Sequence, residues 1–156
     1  MKRQIPALLL GLLLLTSPAG AVELTLDGLP LDVGHAPVYD GSTYVSLRAV
    51  SEALCPEADV TWESGKAAVR TPRLTLTARP GETQLIHNGD TLPLSSPVRL
   101  EEGRTLVPIR PLAALLGAEV TWNRLTGAVE LTTVDTDYDD QVYWLSRIIS
   151  AESQGE

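Results

Sequence analysis

The sequence predicts an α+β fold: two tandem repeats of short antiparallel strands with one short helix each, then a C-terminal helix. Three observations carry this expectation. A block of the chain occurs twice in the same internal order, turn dipeptides separate short apolar stretches in both copies, and one stretch per copy spaces its apolar residues at helical intervals. The 156 residues, 44% of them hydrophobic, suffice for one ordinary domain or two very small ones. A formal charge of -8 makes nucleic acid and anionic membrane surfaces poor electrostatic partners. Phe is absent and Met occurs once, so the core must rest on Leu, Val, Ala and Ile, plus three Trp, and Cys occurs once. An internal disulfide and a Cys-rich zinc or iron–sulfur site are excluded.

The elements follow in order. Lys2 and Arg3 precede an apolar run from Ile5 to Leu15, and Ala19, Gly20 and Ala21 place small residues where an exporting peptidase cuts. This three-part pattern predicts a signal peptide over 1–21, a mature chain beginning at Val22, and secretion. The run is shorter than the roughly 20 apolar residues that span a bilayer, so no integral membrane span is expected after cleavage. Cys55 is then a lone thiol, read as a small buried apolar residue.

The repeat region covers 22–133, with copies over about 22–79 and 83–133. Asp40–Arg48 (DGSTYVSLR) and Glu102–Arg110 (EGRTLVPIR) share Gly41/Gly103, Thr43/Thr105, Val45/Val107 and Arg48/Arg110. Asp59–Trp62 (DVTW) matches Glu119–Trp122 (EVTW), and Ala68-Val69 matches Ala128-Val129. Asp27-Gly28 and Asn88-Gly89 predict tight hairpins. A second turn, at Asp40-Gly41 or Glu102-Gly103, leads into a strand and then a helix, Leu47–Leu54 or Ile109–Leu116. Gly117 suits a left-handed end for the second helix, whereas Cys55 and Pro56 end the first. Two strands close each copy, Asp59–Glu63 and Ala67–Thr71 in the first and Ala118–Asn123 and Ala128–Thr132 in the second.

This order of hairpin, acidic-Gly-x-Thr-x-Val-x-Leu/Ile-Arg, helix and Val-Thr-Trp resembles the copper amine oxidase N-terminal-like, or stalk, domain. The resemblance implies a small α+β module and not an oxidase. Copper sites need His, Cys or Met ligands, and His35 and His87 fall in non-matching parts of the copies, so neither a metal nor another cofactor is expected. Trp62 and Trp122 read as core anchors, one per copy, in preference to exposed carbohydrate-stacking platforms. Arg48 and Arg110 read as partners of local carboxylates or carbonyls, in preference to anion-gripping groups.

After the repeats, 134–140 is a polar linker with four Asp, and 141–156 predicts a helix. Val142, Leu145, Ile148, Ile149 and Glu152 fall on one face of it. The sequence Trp144-Leu145-x-Arg147-x-Ile149-x-x-Glu152-Ser153-x-Gly155-Glu156 resembles the opening of SleB-type, spore cortex-lytic cell wall hydrolases. The resemblance implies that Glu152 is the general acid and Glu156 a supporting carboxylate. A Glu among apolar groups keeps its proton near neutral pH, as glycosidic cleavage requires. It also implies a truncated catalytic domain, because the groove and any second carboxylate would lie beyond residue 156. The expected function is the N-terminal portion of an exported, cell-wall-associated peptidoglycan hydrolase, a glycosidase or lytic transglycosylase, inactive as this chain. Its partner would be peptidoglycan or another cell-wall glycan. The alternative is a non-enzymatic surface stalk or binding module.

Overall fold

Five turns of two residues crease the chain into hairpins. At Asp27-Gly28, Asp40-Gly41, Ser64-Gly65, Asn88-Gly89 and Glu102-Gly103 both residues have positive φ, the type I′ geometry whose twist matches that of paired strands. The computed structural model describes residues 22–134. In chain order the elements are β1 (Leu24–Leu26), β2 (Leu29–Leu31), β3 (Val38–Tyr39), β4 (Ser42–Ser46), α1 (Leu47–Leu54), β5 (Asp59–Glu63) and β6 (Lys66–Arg70). They continue with β7 (Thr75–Ala78), β8 (Gln84–His87), β9 (Asp90–Pro93), β10 (Arg99–Glu101), β11 (Arg104–Pro108), α2 (Ile109–Leu115), β12 (Ala118–Trp122) and β13 (Val129–Thr133).

The α+β expectation is overturned. Strands account for 47% of the described residues, in three sheets, against two short helices, so the domain is β-rich. The cause is local: I′ turns recur so often that the apolar stretches between them pair as hairpins, leaving one brief helix after β4 and one after β11. The C-terminal helix expected over 141–156 lies outside the described residues.

The sheets also cross between the two copies. One sheet has the order β5-β6-β7-β8-β9, so the β8–β9 hairpin of the second copy completes the sheet begun by the first. Another has the order β12-β13-β1-β2, in which β1 pairs parallel to β13 and returns the N-terminal hairpin to the second copy. Asp27 pins that exchange: its carboxylate accepts from the Thr133 N–H at 2.9 Å and the Thr133 hydroxyl at 2.8 Å. β7 separates β6 from β8 in the first sheet, whereas β13 meets β1 directly in the second.

The third sheet, β10-β11-β4-β3, joins strands of both copies. Antiparallel β4 and β11 align Val45 with Val107, and Leu106 and Pro108 with Ser46 and Tyr44. Repeat-equivalent residues thus face one another, which places a local pseudo-twofold axis at Val45/Val107. Tyr39 and Glu101 are also repeat equivalents, and they share a 2.6 Å hydrogen bond from the phenol to the carboxylate. Arg99 lies over the Tyr39 ring at 4.0 Å.

One continuous core spans both copies, including Leu24, Val45, Leu76, Val107, Leu112 and Leu131. α1 turns Leu47, Val50 and Ser51 inward, and the Ser46 hydroxyl caps it by accepting from the Ala49 N–H at 3.2 Å. In α2 the capping position is Pro108 and no side chain caps it, while Pro111 sits in the first turn, where a missing N–H breaks no intrahelical bond. Gly117 follows α2 at φ +83°, the left-handed ending its sequence predicts.

Candidate functional site

Trp62 and Trp122 sit at or near the ends of β5 and β12, with relative exposures of 51% and 57%. Their assignment as core anchors is therefore corrected. Strand alternation puts Trp62 on the same face as Val60, and Trp122 on the same face as Ala118 and Val120, all of which lie in or against the core. The indoles are exposed because they fall toward the strand ends, past the covered stretch of that face. The interior is filled by Leu, Val and Ala from both copies instead.

Each Trp borders a groove. The first, about 840 Å³, has Val60, Thr61 and Trp62 of β5 beside Arg48 of α1, with Gly103, Arg104 and Thr105 from the other copy opposite. The second, about 450 Å³, has Val120, Thr121 and Trp122 of β12 beside Arg110 of α2, with Gly41, Ser42 and Thr43 opposite. The pseudo-twofold relates these two sets of residues. Each groove combines the Trp and helix start of one copy with the β-turn of the other, so an isolated copy cannot form either one.

The arginines do not behave alike. Arg48 reaches Glu52 at 3.4 Å, but both side chains are more than half exposed, so the pair is weak. Arg110 is exposed and makes no ion pair or side-chain hydrogen bond with the described residues. Arg104 likewise lacks an ion pair with the described residues. It packs on Gly34, whose φ is +71°, and a Cβ at that position would collide with Arg104 Nη1. Asp32, at the same edge, accepts from the Gly34 N–H at 2.9 Å. Arg104 was not recognised as a site residue from sequence. The available signal was its mismatch with Ser42 in the alignment of the copies.

The displaced titrations among the described residues belong to Tyr39 and to Glu63, which accepts a hydrogen bond from Thr61 of the first groove. The Tyr39 phenol is raised above its ordinary pKa, first by donating to Glu101 and then by desolvation and the Glu101 charge. Glu63 is lowered by its hydrogen bonds from Arg70, at 2.9 Å, and from Thr61, with the Arg70 charge reinforcing them. Neither belongs to a nucleophile–base pair. Glu152 and Glu156, the expected catalytic carboxylates, lie outside the described residues.

Copper does not fit the described residues. His35 follows β2, Cys55 ends α1 and His87 ends β8, and no group of three or more His, Cys, Asp or Glu among the described residues is placed to hold a metal ion. No helix among them is long and apolar enough to cross a membrane. What the grooves do offer is a flat, half-exposed indole beside guanidinium and hydroxyl groups. An aromatic face receives the C–H side of a sugar ring while polar neighbours bond its hydroxyls.

No curated protein matches the chain. The family model for the copper amine oxidase N-terminal domain matches residues 25–137, a span containing the cross-paired sheets, both Trp grooves and the Val45/Val107 axis. The chain therefore belongs to the copper amine oxidase N-terminal domain family.

Proposed function

We propose that residues 22–134 form a non-catalytic glycan-binding stalk in an exported, cell-wall-associated protein. The observation that carries this reading is the pair of half-exposed tryptophans, each set in a groove with an arginine. A fold built only for mechanical spacing would gain nothing from exposing two indoles at equivalent places on an otherwise acidic chain. The leader pattern over 1–21 supports export, and peptidoglycan is the glycan such a location offers. The resemblance of 141–156 to SleB-type cell wall hydrolases supports a further role, in which the stalk holds a hydrolase against its polymer. Glu152 is the proposed general acid there and Glu156 its supporting carboxylate.

Co-sedimentation with insoluble peptidoglycan tests the stalk reading. The full chain should pellet with the polymer, and Trp62→Ala/Trp122→Ala should remain in the supernatant while keeping its circular dichroism. Equal pelleting of the two proteins would refute it.

A further inference from the structure

The choice of sugar can be read from the charges around the indoles, a step that rests on the glycan-binding reading. The chain is acidic overall, yet each groove presents an arginine that forms no ion pair with a described carboxylate: Arg104 across the first groove from Trp62, and Arg110 beside Trp122 in the second. Asp32 and Glu52 line the first groove and Asp40 the second. Glu52 pairs with Arg48, Asp32 accepts from the Gly34 N–H, and none of the three forms an ion pair with Arg104 or Arg110. Gly34 leaves room for the Arg104 guanidinium at the groove edge. A guanidinium matches a carboxylate with two parallel N–H···O bonds, a geometry that neutral hydroxyls do not reproduce.

We propose that the protein binds carboxylate-bearing sugar residues at two sites, one in each groove, with the repeat-equivalent indole receiving the ring and the acid received by Arg104 of the turn in the first groove and by Arg110 of the helix start in the second. The two sites lie on either side of the Val45/Val107 axis, so one molecule engages two acidic residues of one strand or of two neighbouring strands. The acid has two possible sources, a uronic acid carboxylate on the ring or a lactyl ether carboxylate on a muramic acid free of peptide.

Isothermal titration of the full chain separates the outcomes. The ligands are a short uronic acid oligomer, a peptide-free muramyl glycan of similar length, and a neutral β-1,4-linked N-acetylglucosamine oligomer. At least one acidic ligand should bind at two sites, and whichever one binds identifies the source of the acid. Its affinity should fall as salt is raised, because exposed charge pairs are screened. Arg104→Gln and Arg110→Gln should each weaken one site by about tenfold or more, the scale of a lost charge-assisted hydrogen bond. Arg→Lys at the same positions should restore part of the loss, since charge is kept and the two-pronged geometry is not. Neutral and acidic oligomers binding equally, with no salt dependence, would overturn the acid-selecting inference and leave glycan binding intact. A single site that survives both Arg→Gln changes would overturn the paired arrangement. Binding of none of the three ligands, by a protein that still pellets with peptidoglycan, would overturn the assignment to sugar carboxylates alone.

Discussion

Replacing Trp122 with alanine separates a core tryptophan from a surface platform. A fully enclosed Trp truncated to Ala costs about 3–5 kcal/mol, combining lost transfer energy with the cavity left behind. Here the residue is 57% exposed, so less than half of its surface leaves water on folding. At about 25 cal/mol per Å² the transfer contribution falls to about 1–2 kcal/mol, and an open site leaves no enclosed void to add to it. Urea denaturation followed by far-ultraviolet circular dichroism gives the stability difference, with the slope checked against wild type to ensure that the same surface is being exposed. The thermal midpoint should drop by only a few degrees. Glycan affinity, measured on the same sample, should fall far more than stability does. A loss of 3–5 kcal/mol in stability would refute the argument, because it would mean that the indole is structural and that its exposure has been misjudged.

Leu112→Ala is the internal comparison: Leu112 is fully buried in α2, and its truncation should cost about 2–5 kcal/mol in the same urea assay. The Tyr39–Glu101 bond has a pH signature whose sign follows from its chemistry. The folded state raises the phenol's pKa, so the stabilisation is complete below the ordinary tyrosine value near 10 and is lost as pH rises through the higher folded value. Urea midpoints measured up the alkaline limb should therefore fall less steeply in Tyr39→Phe than in wild type. Deleting β1 and β2 should abolish cooperative folding of β12 and β13 as well, seen as lost amide-exchange protection in β13, because β1 is the strand that covers its edge. In a protein extended through a complete hydrolase domain, Glu152→Gln should cut muropeptide release by about a hundred- to ten-thousand-fold, the usual contribution of general acid–base catalysis. Full activity in that variant would assign the acid to another residue.

The features legible in the sequence are those encoded over a few neighbouring residues. Asp27-Gly28 and Asn88-Gly89 mark tight turns because so few residue pairs adopt positive φ in succession. Leu47, Val50 and Leu54 mark α1 by spacing, and Gly117 marks the end of α2. β7 carries its own local signal, since Leu74, Leu76 and Ala78 alternate inward with the period of a half-buried strand. Strand partnership was not legible. Nothing local tells β8 that it will pair with β7 of the preceding copy, or β1 that β13 awaits it across the whole domain, because the ladder hydrogen bonds are the same with any partner. For that reason the repeats read as two self-contained units of mixed α and β, while the folded chain exchanges hairpins and is dominated by strands. The tryptophans were misread on the same grounds. Alternation along β5 and β12 says which side Trp62 and Trp122 occupy, but whether that side is covered depends on distant layers. Those layers cover Val60, Ala118 and Val120 on that same side but stop short of the strand ends, which leaves the indoles beside arginines, in grooves that neither copy forms alone.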